Sequence, residues 1–176
     1  MNYGLQVQIT TDLASEPVSV SEAKAYMRVT DSDDDTLIGE LITSARQRLE
    51  RFTGLSFGAK TLKARWDSMD SWAELPYQPK AVITGCVDDD GVTLVYESRG
   101  LDYKQVYCNT QYGVTFTYTV SWTTFPKALK EAILKEVSTA YENRENFYID
   151  GTMTELCNSA KYLAQPFSRN SILGIL

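Results

Sequence analysis

The sequence predicts an α+β fold: a small bundle of amphipathic helices, drawn from an N-terminal and a C-terminal helical block, with an antiparallel β-sheet inserted between them. Three observations carry this. Apolar residues recur at helical spacing over 17–54 and again over 125–165. Between Lys60 and Trp122 the period drops to two. No repeat or low-complexity linker separates these stretches, so the 176 residues read as one domain: a helical block at 17–54, a β-rich insertion at 59–122, a second helical block at 125–165 and an extended tail at 166–176.

The chain opens with an alternation, Leu5, Val7 and Ile9 against Gln6, Gln8 and Thr10, which is the period of a short strand or of an arm that pairs with something. Ser19 and Glu22 then form a capping box, opening a short helix through Ala23, Tyr26 and Met27 that ends near Val29. A second helix follows the acidic run Asp31-Ser-Asp33-Asp34-Asp35, whose carboxylates face the positive end of the helix dipole and can cap its free N–H groups. Leu37, Ile38, Leu41, Ile42, Ala45, Leu49 and Phe52 form its apolar face. Arg46, Arg48 and Arg51 suit the dipole in the last turns, and Gly54 is placed to end the helix.

In the β-rich part, Leu62, Ala64 and Trp66 oppose Thr61, Lys63 and Arg65. Val82–Val87 reads as a strand, and Asp88-Asp-Asp-Gly91 as a hairpin turn into a return strand at Val92–Tyr96. Tyr103–Cys108 and Val114–Trp122 supply two more strands. The last alternates cleanly, apolar and aromatic residues against Thr115, Thr117, Thr119 and Ser121, so one face should be packed and the other wet. Helix resumes after Pro126 with a stripe of Leu129, Ala132, Ile133, Val137, Ala140 and Tyr141, and a further short helix is expected from Met153 to Ala164, stopping at Pro166.

Composition leans away from catalysis. There is no histidine, which removes the commonest general base and the usual zinc ligand, and no G-x-S-x-G elbow, phosphate loop or Cys–His pair is present. Asp31, Asp33 and Asp35 begin like a calcium loop, but Thr36 stands where the glycine belongs and Ile42 where the bidentate glutamate belongs, so a capping turn is the better reading. Asp88–Asp90, followed by glycine, reads as a turn rather than a magnesium site. No cofactor or metal is expected. Cys86, Cys108 and Cys157 form an odd set without CxxC spacing, which points to a reducing compartment. With no apolar run near the roughly 20 residues of a membrane helix and no signal-like start, the expectation is a soluble protein made in the cytoplasm, with no membrane partner.

Seventeen basic and 23 acidic side chains give a net charge of −6, which argues against non-specific wrapping of nucleic acid. The three Trp, 11 Tyr and six Phe could stack bases, but residues 61–120 carry more acids than bases, so packing is the better use for them. The ending is unusual: Ile172, Leu173, Ile175 and Leu176 are apolar where a free terminus is ordinarily polar, so the tail either packs on its own domain or docks into a partner.

Two blocks carry a resemblance. Pro17-Val-Ser-Val-Ser-Glu-Ala-Lys-Ala-Tyr-Met-Arg-Val29, the Asp-rich spacer and Thr36-Leu-Ile through Glu50-Arg-Phe-Thr-Gly54 resemble the opening of the head–tail connector proteins of tailed bacteriophages, also called adaptor or head-completion proteins. Phe125-Pro-Lys-Ala-Leu-Lys-Glu-Ala-Ile-Leu134 and Tyr141-Glu-Asn-Arg-Glu145 resemble that family's later helix. The resemblance covers under half of the chain, and the middle and tail depart from it.

It implies a non-enzymatic structural virion protein, made in the host bacterial cytoplasm. About twelve copies would form a ring beneath the portal protein, extend the DNA channel and offer a surface to a stopper or tail-completion protein. Duplex DNA would pass through without specific binding. Ile172, Leu173, Ile175 and Leu176 are then candidates to dock on the portal or a neighbouring subunit, and Asp31, Asp33, Asp34 and Asp35 are candidates to face the channel. The competing readings are a tail terminator or other ring-forming virion protein, a cytoplasmic protein-interaction domain, and, least favoured, a metal-dependent hydrolase.

Overall fold

The computed structural model describes residues 4–110, 112–143 and 156–169. Along the chain run β1 (Gln6–Thr11), α1 (Val20–Met27), α2 (Asp35–Thr53), β2 (Lys60–Trp66), β3 (Ala73–Glu74), β4 (Val82–Asp88), β5 (Glu97–Arg99), β6 (Gln105–Tyr107), β7 (Val114–Val120), α3 (Lys127–Glu142) and α4 (Asn158–Ala164), with a 3-10 turn at Gln165–Phe167. The α+β reading holds. The chain divides into two compact units, a β unit from 4–14 and 54–123 and a helical unit from 15–53, 124–143 and 156–169.

In the helical unit the capping box forms as the sequence predicts. Ser19 Oγ accepts from the Glu22 N–H at 3.2 Å, and Glu22 Oε2 accepts from the Ser19 N–H at 3.0 Å. Arg28, at φ 59°, takes the left-handed conformation that ends α1. The buried face of α2 is Ile38, Ile42, Ala45 and Leu49; that of α3 is Leu129, Ala132, Ile133 and Val137. These faces pack on one another, and α4 adds Ala160 and Ala164 against them. Each fully buried Leu or Ile contributes about 1.5–3 kcal/mol. Gly54, at φ 70°, turns the chain out of α2.

The β unit holds an antiparallel four-stranded sheet in the order β1-β2-β7-β4 and a three-stranded sheet in the order β3-β6-β5. Leu62 faces Tyr118 and Ala64 faces Phe116 across β2 and β7, which puts Leu62, Ala64, Trp66, Phe116, Tyr118 and Val120 on one buried face. Thr115, Thr117 and Thr119 take the other face, opposite Arg65, Lys63 and Thr61. Trp66 and Tyr96 both meet the Phe116 ring edge to face, at 5.9 and 5.5 Å between centroids. The buried Tyr118 hydroxyl donates to the Pro76 carbonyl at 2.9 Å, and burial pushes its ionisation above the usual phenol range.

Three features differ from the sequence expectation. The sheet is not only an insertion, because β1 precedes both helices and pairs with β2. The return strand at Val92–Tyr96 does not form as a strand. The turn itself does: Asp88 Oδ1 accepts from the N–H groups of Asp90 and Val92, and Gly91 sits at φ 81°. Only two rungs follow, Asp88 N–H to Val92 O and Leu94 N–H to Cys86 O. The chain then leaves, because Leu94 and Tyr96 pack into the core, and the strand falls instead at β5 in the second sheet. Finally, α4 begins at Asn158, so Leu156 and Cys157 lie before the helix rather than in it; Met153, Thr154 and Glu155 of the expected helix lie outside the described residues.

Candidate functional site

The two blocks that carry the resemblance meet in the helical unit, and charged side chains join them. Tyr141 near the end of α3 donates its hydroxyl to Asp34 Oδ2, just before α2, at 2.6 Å. Lys130 Nζ on α3 meets Glu22 Oε1 on α1 at 2.5 Å. Arg48 on α2 meets Glu136 Oε1 on α3 at 2.8 Å, and Glu136 Oε2 accepts the Cys157 N–H at 2.9 Å, which tethers the start of α4. The Lys130 ammonium and the Ser19 N–H hold the Glu22 carboxyl down at about 2.

Arg46 is buried, with a side chain 3% exposed. Its Nε donates to Glu16 Oε2 and its Nη1 to Glu50 Oε2, both at 2.8 Å. Thr43 Oγ1 donates to Glu16 Oε1 at 3.0 Å, so the segment before Pro17 is tied to α2. The sequence reading assigned Arg46 and Arg48 to the helix dipole. Instead each lies against carboxylates, and Arg51 alone of the three falls in the last turn. The sequence gives neither Glu16 nor Glu136 this role, and Glu136, expected on a solvated face of α3, is buried. The available signal was Arg46 and Glu50, four residues apart and both on the apolar face of α2.

The acidic run is divided. Asp34 is engaged by Tyr141 and Asp35 by Lys24 Nζ at 2.6 Å, while Asp31 and Asp33 are exposed. The Ile38 N–H donates to the Asp34 carbonyl at 2.9 Å, which makes Asp34 the first acceptor of α2. Of the other candidates, Ile172, Leu173, Ile175 and Leu176 lie outside the described residues, as do Arg144 and Glu145 of the quoted Tyr-Glu-Asn-Arg-Glu block. The last described residues are held at the C-terminal end of α2: Ser168 Oγ donates to the Phe52 carbonyl at 3.3 Å and the Arg169 N–H to the Thr53 carbonyl at 2.6 Å.

In the β unit, Arg65 forks onto Asp89, Nε to Oδ1 at 2.8 Å and Nη2 to Oδ2 at 2.7 Å, and also bonds Asp67. The guanidinium holds the Asp89 carboxyl below its usual range. Cys86 and Cys108 are buried free thiols; burial pushes Cys86 up to about 12 and raises Cys108. Among the described residues no three His, Cys, Asp or Glu side chains are grouped to hold a metal ion, and no helix is long and apolar enough to cross a membrane.

The two amphipathic helical blocks are thus joined by side-chain bonds, with strands β2–β7 between them in sequence. Residues 17–87, spanning α1, α2, β2, β3 and nearly all of β4, match the family described as Phage gp6-like head-tail connector protein, which bears out the resemblance read from the sequence. That family is a structural class and not an enzyme class, and the match supports a structural connector role.

The fold as a whole is similar to three chains of solved particles. One belongs to the neck of an empty gene transfer agent (GTA) particle computed with C6 symmetry, at 15% identity and TM-score 0.70, covering 93% of this chain and 95% of that one. A second comes from the virion of a native gene transfer agent particle, at 16% identity and TM-score 0.70 with the same coverage. A third, from the neck of a native GTA particle computed with C12 symmetry, has 17% identity and TM-score 0.60 and covers 92% and 94%. At these identities the likeness is one of fold. No curated protein sequence matches the chain.

Proposed function

We propose that this chain is a virion protein that assembles as a ring beneath the portal, joins the DNA-filled head to the tail and extends the DNA channel. The observation that carries the reading is the coincidence of a head–tail connector match over 17–87 with a fold similar, over 93% of the chain, to a chain from a symmetric particle neck. A ring of about twelve subunits is in keeping with the C12 symmetry of one such neck. Its partners are further copies of itself, the portal protein and a stopper or tail-completion protein.

The chemistry suits a conduit. At −6 per copy, a ring repels duplex phosphates instead of gripping them, so DNA slides past without specific contacts. Within the acidic run, Asp31 and Asp33 are the exposed members and the better channel-facing candidates; Asp34 and Asp35 serve the joint between helices. The apolar tail is assigned to the portal or an adjacent subunit, with Ile172, Leu173, Ile175 and Leu176 as its contacts, launched from the end of α2 by the bonds at Ser168 and Arg169.

Deleting residues 170–176 tests this docking. The truncated monomer is expected to unfold at the same temperature as the parent yet fail to attach to portal-bearing heads. Normal attachment of the truncated chain would refute the tail assignment.

A further inference from the structure

We infer that neighbouring copies join edge to edge through the four-stranded sheet, the β1 edge of one copy pairing antiparallel with the open part of the β4 edge of the next. This rests on the ring reading above and names the surface that makes the ring.

The four-stranded sheet ends in β1 on one side and β4 on the other. A bare strand edge invites pairing, and folded proteins that stay monomeric guard such edges with charge, proline or a cover. Neither guard of sequence is present here: Gln6–Thr11 and Val82–Gly85 contain no charged residue and no proline. Apolar side chains stand exposed on both, with Ile9 46% and Val82 62% accessible. The far half of the β4 edge is covered by its own chain, through the rungs from Asp88 to Val92 and from Leu94 to Cys86. Among the described residues, that leaves Val82–Gly85 as the stretch of this edge with no strand beside it, which limits the registers a neighbour can take.

The two edges also match in direction. Every pairing in the sheet is antiparallel, so β1 and β4 run oppositely, and β4 of one copy beside β1 of the next continues the alternation. Thr11 and Val82 lie on one row across the sheet, through Thr61 and Thr119, so the end of β1 meets the start of β4. Two unlike edges on each copy make a head-to-tail contact, the kind that closes into a ring when the rotation per copy allows it.

Cysteine cross-linking of the full-length chain tests the seam. In a Cys157→Ser background, Val82→Cys is combined in turn with Ile9→Cys, Thr10→Cys and Thr11→Cys, assembly on portal-bearing heads is followed by electron microscopy, and the samples are oxidised with a copper(II) complex. At least one pair is expected to give a ladder of covalent oligomers on a non-reducing gel, and Val82→Cys alone to give none. Rings visible by microscopy with no ladder from any pair would overturn the edge seam and leave the ring reading standing; no rings at all would overturn both. As a second arm, Ile9→Lys is expected to abolish rings while the monomer keeps its circular dichroism spectrum and unfolding temperature. Rings formed normally by Ile9→Lys would also overturn the seam.

Discussion

Tyr141 Oη lies 2.6 Å from Asp34 Oδ2, a bond between residues 107 apart in sequence that ties the end of α3 to the start of α2. Each partner comes from one of the two segments that resemble a head–tail connector. Their order along the chain therefore reflects a contact in space: the N-terminal block supplies the acid and the C-terminal block the hydroxyl.

Tyr141→Phe keeps the ring and removes this bond. A half-buried hydrogen bond to a carboxylate contributes about 1–2 kcal/mol, and Asp34 keeps other interactions, so the loss should lie near the lower figure. Urea denaturation of the two proteins measures it as a lower midpoint at unchanged slope.

Arg46 makes a sharper case. Its guanidinium is shared by Glu16 and the buried Glu50, so Arg46→Ala takes a cation away from two carboxylates of the helical unit at once. The expected cost is about 3–5 kcal/mol, several times that of Tyr141→Phe. Equal midpoints for Arg46→Ala and the parent would show that this pair does not hold the unit.

Glu22 predicts an acid response. Its folded carboxyl is held at about 2 against an ordinary 4.5, so the ionised form is favoured by folding. The contribution is complete above the ordinary value and disappears as pH falls from there towards 2. The parent's advantage over Glu22→Gln should be constant above neutral-to-mildly-acid pH and vanish at the acid end. Thermal melts of both proteins across that range check the sign, and an advantage that survived at the acid end would contradict it.

The thiols should separate by burial. Cys86 and Cys108 are enclosed and hard to ionise, while Cys157 is half-exposed. A maleimide at mildly alkaline pH should therefore label one thiol per chain quickly, at Cys157, and the other two only on unfolding. Peptide mapping of the labelled protein identifies the site.

Much of this architecture was legible because it rests on local rules. The Ser19–Glu22 capping box, the Ile38–Leu49 stripe and the alternation of Val114–Val120 each follow from neighbours in sequence, and each formed where expected. What escaped depended on distant partners. The strand period of Val92–Tyr96 was real, but Leu94 and Tyr96 found a better place in the core than in a hairpin rung. Nothing near Arg46 announces Glu16, thirty residues earlier, and nothing near Glu136 announces the Cys157 N–H. Pairing of β1 with β2 likewise spans fifty residues or more, so the first strand could be read from its period but not placed.

The proposed role of this chain is that of a ring joining head to tail. Cryo-electron microscopy of portal-bearing heads incubated with the purified full-length protein addresses it most directly. A closed collar of density added at the portal vertex, with the symmetry of a particle neck, is the predicted result. Heads whose portal vertex stays bare at saturating protein, with the protein left as free monomer, would contradict it.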